Sequence, residues 1–178
     1  MSGTSSLGPL PDMVGLSDEE LVHLVGLLRD RGETVATAES LTAGLVCAVL
    51  TAVPGASAVV RGGMVVYATD LKARLAGVDP ELLAERGAVD RDVAAQLAAG
   101  ARDRCGASWG LGLTGVAGPD GQDGVAPGTV HIGIAGPNGT SVRTVTLGGN
   151  RQAVRAGAVR VALRALSDVV FTTTDRGD

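Results

Sequence analysis

Aromatic and basic residues are scarce in this sequence, which argues against nucleic-acid binding. The 178 residues include one Trp, one Tyr and one Phe, so unstacked bases would find few aromatic side chains. The 15 Lys and Arg residues are outnumbered by 19 Asp and Glu residues, and the formal net charge is -4. Such a chain offers no broad positive surface to a phosphate backbone. We therefore expect no nucleic-acid partner, although a local group of arginines could still bind a small anion.

Histidine and cysteine are also rare. The only histidines are His23 and His131, and the only cysteines are Cys47 and Cys105. Neither pair has the spacing of a zinc site, and neither histidine is expected to complete a Ser-His-Asp triad. The two cysteines form no CxxC motif and no disulfide framework, which favours reduced thiols in the cytoplasm. The sequence therefore predicts a cytoplasmic protein with no metal and no cofactor.

Long apolar segments are missing as well. No uninterrupted apolar run reaches the roughly 20 residues that a membrane-spanning helix requires. The first residues are rich in Gly, Ser and Pro, and they lack the basic and apolar regions of a secretory signal. We expect a soluble protein with no membrane partner, in which residues 1–12 and 173–178 are disordered tails.

The remaining residues, 13–172, suffice for one hydrophobic core but not for two ordinary domains. Apolar residues recur at helical spacing from Leu21 and again in a long C-terminal helix from about Asn150. Short β-prone runs lie between helices in the first half, and residues 137–139 (Pro-Asn-Gly) are typical of a hairpin turn. This order predicts an α/β fold, a three-layer α/β/α sandwich with a mixed β-sheet.

Ser40 stands where open α/β sheets usually present their chemistry. The β-prone run Thr34–Ala38 is followed by Glu39, and the residues from Leu41 to Ala52 have a helical composition. Ser40 therefore lies on a predicted turn between a strand and a helix. A serine in such a turn is a candidate nucleophile if a base lies beside it.

Lys72 is the candidate base, because it is the only lysine of the chain and arginine does not give up its proton. A lysine that is sufficiently desolvated can deprotonate a hydroxyl near neutral pH. Tyr67, five residues earlier, could relay the proton or orient Ser40. In the alternative interpretation Lys72 is a solvated helix residue and Tyr67 packs at the end of a strand. The residues alone favour that alternative.

Two further features are suited to a small anion. The segment Thr114–Pro119 (TGVAGP) follows a predicted buried strand and could present backbone N–H groups to a phosphate or a ribose. Arg151 and Arg155 share one face in the first turns of the last helix, where the helix dipole disfavours cations. A bound anion would remove that conflict, whereas screening by solvent would make it unimportant. The sequence does not decide between the two.

Several motifs in a fixed order resemble the CinA C-terminal family. They are AESLTAG at 38–44, GGMVVYATDLK at 62–72, GAV at 87–89, TGVAGP at 114–119, PGTV at 127–130 and the arginine-bearing last helix. The resemblance covers the chain from about Ser17 to Phe171. Members of the family often carry a second, N-terminal domain that resembles molybdopterin-binding proteins, and we expect no room for it here.

The resemblance implies a nicotinamide-nucleotide amidase, which converts nicotinamide mononucleotide and water to nicotinate mononucleotide and ammonia. Ser40 matches the nucleophile of the family, Lys72 its base and Tyr67 the associated tyrosine. The positions that match the nucleotide site are Glu39, Thr42, Gly44, Thr114, Gly115, Gly118, Pro119, Arg151 and Arg155. The expected partner is this small substrate, and the protein is expected to form a homo-oligomer.

This chain departs from the usual family pattern beside the matching residues. Leu41 and Ala43 replace a Cys and a Gly, and Ala68 and Thr69 replace a Ser and an Asn. A β-carbon at Ala43 restricts how closely the backbone can be approached, which implies an altered rate or specificity. Two alternatives to the amidase are a non-catalytic module that binds a nucleotide or a partner, and a hydrolase for another small amide or phosphorylated nucleoside.

Overall fold

A computed structural model describes residues 7–173, so most of the two predicted tails lies outside the described residues. At residues 9–12 the structure differs from the predicted tail, because Pro9–Val14 form helix α1. Pro9 occupies the first helical position, where its fixed backbone angle and missing N–H cost nothing. Val14 is buried in the same core cluster as residues of the C-terminal helix, and this packing stabilises the short helix.

The other elements alternate between helix and strand before a closing hairpin. The remaining helices are α2 Asp18–Asp30, α3 Leu45–Thr51, α4 Thr69–Ala76, α5 Pro80–Arg86, α6 Arg91–Cys105 and α7 Arg151–Thr172. The strands are β1 Val35–Glu39, β2 Val60–Val65, β3 Trp109–Gly115, β4 Thr129–Gly136 and β5 Gly139–Thr146, and a short 3₁₀ turn, Ala56–Ala58, precedes β2.

The five strands form one sheet in the order β2-β1-β3-β4-β5. Strands β2, β1 and β3 are parallel to one another, while β4 and β5 are antiparallel additions on the β3 side. Parallel neighbours end at the same edge of a sheet, so the carboxyl ends of β1, β2 and β3 lie side by side. The mixed sheet confirms the prediction.

Helices cover both faces of the sheet, as the alternation of side chains along β1 shows. Val35 belongs to a core cluster with residues of α1, α2, α3 and α7, whereas Ala36 and Ala38 belong to a second cluster with residues of α4, α5 and α6. The two clusters define a three-layer α/β/α sandwich, which is the predicted architecture. On the second face α6 lies so close to the sheet that a side chain at Gly112 or Gly133 would collide with the carbonyl of Ala94.

One local prediction was wrong in a way that matters for the site. The helix expected from Leu41 begins only at Leu45, because the preceding residues form a turn. Ala43 and Gly44 have left-handed backbone angles, with φ of 51° and 90°, which no right-handed helix accommodates. The five residues Ser40–Gly44 are called the nucleophile loop below.

Candidate active site

The candidate site lies at the carboxyl edge of the three parallel strands. Ser40 follows β1, and its N–H donates to the carbonyl of Leu113 in β3 (3.0 Å). On the other side of β1, the N–H of Val66 donates to the carbonyl of Glu39 (2.9 Å), which leads the chain from β2 into α4. These bonds bring Ser40 and the start of α4 to one edge, where α/β sheets bind their ligands.

Ser40 and Lys72 meet at this edge, as the proposed pairing of nucleophile and base requires. The Nζ atom of Lys72 lies 3.0 Å from the Oγ atom of Ser40, although 32 residues separate them along the chain. Nζ also donates to the carbonyls of Val66 (2.9 Å) and Tyr67 (3.2 Å). A neutral amine can donate its two protons to these carbonyls and keep its lone pair for the hydroxyl of Ser40. The geometry therefore suits proton transfer from Ser40 to Lys72.

Burial tunes Lys72 for this role. Its side chain is only 1% exposed, so the interpretation of Lys72 as a solvated helix residue is wrong. Removal of water disfavours the ammonium form and lowers the pKa of Lys72 from 10.5 to about 8. A substantial fraction of the side chain is then neutral near physiological pH, as a general base must be.

Tyr67 contributes its backbone to the pair rather than its phenol. Its carbonyl accepts from Lys72, whereas its hydroxyl accepts a hydrogen bond from Nη2 of Arg151 (2.8 Å). The Tyr67 side chain is 57% exposed and forms part of the cavity rim. The structure does not bring the phenol into a hydrogen bond with Ser40.

Ser40 and Lys72 open into a cavity of about 250 Å³. Four of the predicted substrate-binding residues line it, namely Thr114, Gly115, Gly118 and Arg151. Thr114 is held by a hydrogen bond from its hydroxyl to the carbonyl of Ala88 (2.6 Å), which ties β3 to the segment before α6. Nη1 of Arg151 donates to the carbonyl of Gly118 (2.9 Å), so α7 supports the glycine-rich loop.

The other predicted binding residues do not line the cavity. They are Glu39, Thr42, Gly44, Pro119 and Arg155. Glu39 is fully buried and acts on the backbone: its carboxylate accepts from the N–H groups of Val46 and Cys47 (3.0 and 2.9 Å) and thereby holds the start of α3. The hydroxyl of Thr42 is buried and has no hydrogen-bond partner among residues 7–173.

Arg155 differs from Arg151 although both begin α7. Its Nε donates to the carbonyl of Leu41 (2.9 Å) and its Nη2 to that of Thr42 (3.3 Å). The anion that the sequence offered as a partner for Arg155 is thus replaced by two carbonyl oxygens of the nucleophile loop. Arg151 keeps its place at the cavity.

Several cavity residues were missed by sequence reasoning. They are Leu41, Ala88, Val89, Asp120, Gly121 and Gln122, whereas Val116 and Ala117 belong to the segment Thr114–Pro119 that the sequence had indicated. The GAV motif at 87–89 was a signal that could have pointed to Ala88 and Val89. Asp120 and Gln122 lie in a glycine-rich loop without periodicity, where the sequence carries no indication of which side chains face a ligand.

A cleft of about 420 Å³ between α2 and α7 also contains a serine, a histidine and an aspartate. Within the described part of the chain, however, no hydrogen bond joins Ser167, His23 and Asp168. His131 lies elsewhere, where its Nδ1 shares a hydrogen bond with the hydroxyl of Thr144 (2.9 Å) and burial lowers its pKa. Neither histidine contacts Ser40, so Lys72 is the base that the geometry supports.

Residues 7–173 contain neither a metal-binding cluster nor a membrane-spanning helix. Between residues 7 and 173, no three His, Cys, Asp or Glu side chains are grouped so that they could share a metal ion. No helix in that range is both long and apolar enough to cross a bilayer.

Comparisons with known proteins agree on one family. A family model of the CinA C-terminal domain matches residues 18–170. A CinA-like protein of Frankia casuarinae is 50% identical over 171 residues, which are 92% of this chain and 40% of that protein. A CinA-like protein of Anaeromyxobacter sp. (strain K) is 50% identical over 154 residues, which are 85% of this chain and 38% of that protein. The chain thus spans about two fifths of the length of these relatives.

Solved structures give the same result. A competence-damaged protein (CinA) superfamily protein from Klebsiella pneumoniae superposes with a TM-score of 0.83 at 30% identity, over 86% of this chain and 97% of that one. The fold, the family model and the sequence identities agree, and the chain belongs to the CinA C-terminal domain family.

Proposed function

We propose that this domain is an amidohydrolase that converts nicotinamide mononucleotide and water to nicotinate mononucleotide and ammonia. The observation that carries the proposal is the buried hydrogen bond of 3.0 Å between Lys72 Nζ and Ser40 Oγ beside a cavity. A buried serine and lysine with no histidine partner suit attack on an unstrained amide, because the lysine can serve first as base and then as acid.

The reaction runs in two halves. In the first, Ser40 Oγ attacks the amide carbon while its proton passes to Lys72 Nζ, and Lys72 then returns the proton to the departing nitrogen, which leaves as ammonia. The product of this half is an ester between Ser40 and the nicotinoyl group. In the second half, a water molecule gives its proton to Lys72 and attacks the ester carbon. The proton returns to Ser40 Oγ as the nicotinate product leaves.

Charges at the cavity support a mononucleotide as substrate. The nicotinamide ring of this nucleotide carries a positive charge, and its 5′-phosphate carries negative charge. The cavity lining contains the acidic Asp120 and the basic Arg151, one for each end of such a molecule. A guanidinium recognises phosphate oxygens through charge-assisted hydrogen bonds. We propose that Arg151 binds the phosphate and that Asp120 lies towards the ring.

The decisive experiment is to incubate the purified protein with nicotinamide mononucleotide and to measure ammonia and nicotinate mononucleotide. The parent protein should release both in equal amounts, and Ser40→Ala should reduce release to background because no acyl-enzyme can form. Ser167→Ala is a matched control, since Ser167 lines the unrelated cleft between α2 and α7, and it should retain parent activity.

Two results would count against the proposal. Release by Ser40→Ala at near the parent rate without added metal would favour direct attack by water. Binding of the nucleotide by the parent without turnover would instead identify a non-catalytic nucleotide-binding module.

A further inference from the structure

Arg155 is half-buried on α7, outside the cavity, yet it contacts the chain immediately after the candidate nucleophile. Its guanidinium donates to two successive carbonyls of the nucleophile loop, those of Leu41 and Thr42. A loop with a left-handed residue is held in one conformation only if its surroundings determine it. Arg155 helps to fix this conformation through its two hydrogen bonds to the loop.

The peptide units of the loop transmit the orientation that Arg155 sets. In a trans peptide the C=O and the N–H point in opposite directions, and the peptides of this loop are trans. Arg155 holds the C=O of Thr42, and the N–H of the same peptide, that of Ala43, donates to the carbonyl of Ser40 (3.1 Å). The C=O of Ser40 in turn shares its peptide with the N–H of Leu41.

The N–H of Leu41 therefore ends a relay that begins at Arg155. This N–H donates to no acceptor within residues 7–173. Leu41 lines the cavity, and only 3% of the residue is exposed. An N–H that has no protein partner beside a cavity is free to donate to a ligand bound there. A site that develops negative charge on an oxygen next to Ser40 would use such a donor.

We propose that Arg155 is a positioning residue that holds the nucleophile loop through Leu41 and Thr42, so that the N–H of Leu41 can donate to the oxyanion formed on the substrate carbonyl. The inference rests on the acyl transfer proposed above. In that reaction the amide oxygen gains negative charge when Ser40 attacks, and a preorganised donor stabilises this charge. The positive guanidinium at the far end of the relay also polarises each hydrogen bond in the same direction, which strengthens the last donor.

The test compares Arg155→Met with Arg160→Met. Arg160 is on the same helix, is also half-buried and donates to a backbone carbonyl, that of Val14 (3.0 Å), which lies outside the nucleophile loop. Three quantities are measured for each variant: kcat and KM for nicotinamide mononucleotide, the rate at which a fluorophosphonate labels Ser40, and the thermal midpoint.

Arg155→Met should lower both kcat and the labelling rate by about tenfold or more, part of the 10²–10³-fold loss typical when an oxyanion donor is removed. Its KM should stay within about threefold of the parent, because Arg155 does not face the substrate. Arg160→Met should change kcat and labelling by less than about twofold even if it lowers the thermal midpoint equally. Arg155→Lys, which keeps one donor, should lie between Arg155→Met and the parent.

Two results would overturn the inference. The first is an unchanged kcat in Arg155→Met; if KM is raised at the same time, Arg155 is a phosphate ligand instead. The second is an equal loss of kcat in Arg155→Met and Arg160→Met. If Arg155→Met does not fold, Arg155→Lys decides the same question by the same split between kcat and KM. Labelling of Ser40 does not depend on the substrate. Slower labelling of Arg155→Met in a protein that leaves the nucleotide intact would therefore refute the proposed substrate while supporting the positioning role.

Discussion

The inner wall and the rim of the cavity are built in opposite ways. The inner wall contains Ser40 and Lys72, which are 8% and 1% exposed and are hydrogen-bonded to each other. The rim consists of Tyr67, Asp120, Gln122 and Arg151, all of which are exposed. Water is thus excluded around the lysine that we propose as the base, and it is retained where the proposed charged substrate would enter.

This difference indicates that the inner wall governs reactivity and that the rim governs substrate affinity. The lowered pKa of Lys72 is caused by burial, so the inner wall can supply a base only because it is dry. A charge-assisted contact at the exposed rim adds affinity but cannot by itself change the reactivity of Ser40. Substitutions in the inner wall should therefore change kcat, and substitutions in the rim should change KM.

The largest effect is expected from the inner wall, with Lys72→Met. The variant keeps a long aliphatic side chain but removes the amine, so kcat should fall by about 10²-fold or more, the scale of general acid–base catalysis. Arg74→Met is the control, because Arg74 lies on the same helix, is exposed and forms an ion pair with Asp70 (3.6 Å) on the surface. Steady-state ammonia release measures both. A Lys72→Met variant that retained more than about a tenth of the parent kcat would remove Lys72 from the mechanism.

The second prediction concerns pH. Because the neutral amine is the active form in the proposed mechanism and the pKa of Lys72 is about 8, kcat/KM should rise about tenfold per pH unit below pH 8 and level off above it. Lys72 is the only lysine, so a protein labelled with ¹³C-lysine gives a single side-chain signal whose titration can be followed by NMR. A midpoint near 10.5 in the folded protein would contradict the burial argument.

The same pKa shift has a consequence for stability. The folded pKa of Lys72 is lower than that of an unfolded chain, so between about pH 8 and 10.5 the unfolded state binds more protons. The free energy of unfolding of the parent should therefore rise across this range relative to that of Lys72→Met. Denaturant unfolding at several pH values measures the difference, and parallel pH dependence in the two proteins would contradict it.

At the rim, Arg151→Met should raise KM for nicotinamide mononucleotide by about tenfold, the worth of a charge-assisted contact to phosphate. KM for nicotinamide riboside should change by less than about twofold, since the riboside lacks the phosphate. Initial rates over a range of both substrates provide the comparison. Equal increases for the two substrates would assign Arg151 to support of the glycine-rich loop through Gly118 and not to the phosphate.

The smallest effect is expected from Ala43→Gly, which probes strain in the loop behind the inner wall. An alanine at φ 51° carries a cost of about 1–2 kcal/mol that glycine avoids, partly offset by the greater freedom of glycine in the unfolded chain. The free energy of unfolding should rise by about 0.5–1 kcal/mol. Ala48→Gly, inside α3, should instead lower it by about 1 kcal/mol. A loss in both variants would mean that Ala43 is not strained.

Much of the local structure was predictable from the sequence because its causes are local. The capping box of Ser17 and Glu20 begins α2, and Asp90 and Asn150 cap α6 and α7 as their side-chain chemistry suggests. The hairpin between β4 and β5 follows from the Pro-Asn-Gly turn. The nucleophile loop was not predicted, because its composition is compatible with a helix and its carbonyls are held by Arg155, which is more than 100 residues away in the sequence.

By itself, then, the sequence determined the kind of fold, the place of Ser40 after a strand and the shortage of bases that singles out Lys72, since periodicity, caps and composition are properties of the chain. Only the tertiary structure decided that Lys72 is buried against Ser40 and that Arg151 faces the cavity while Arg155 faces the loop. Burial and hydrogen-bond partners depend on residues far apart in sequence. Arg151 and Arg155 are therefore equivalent in the sequence pattern, four positions apart on one helix, but they have different contacts in the fold.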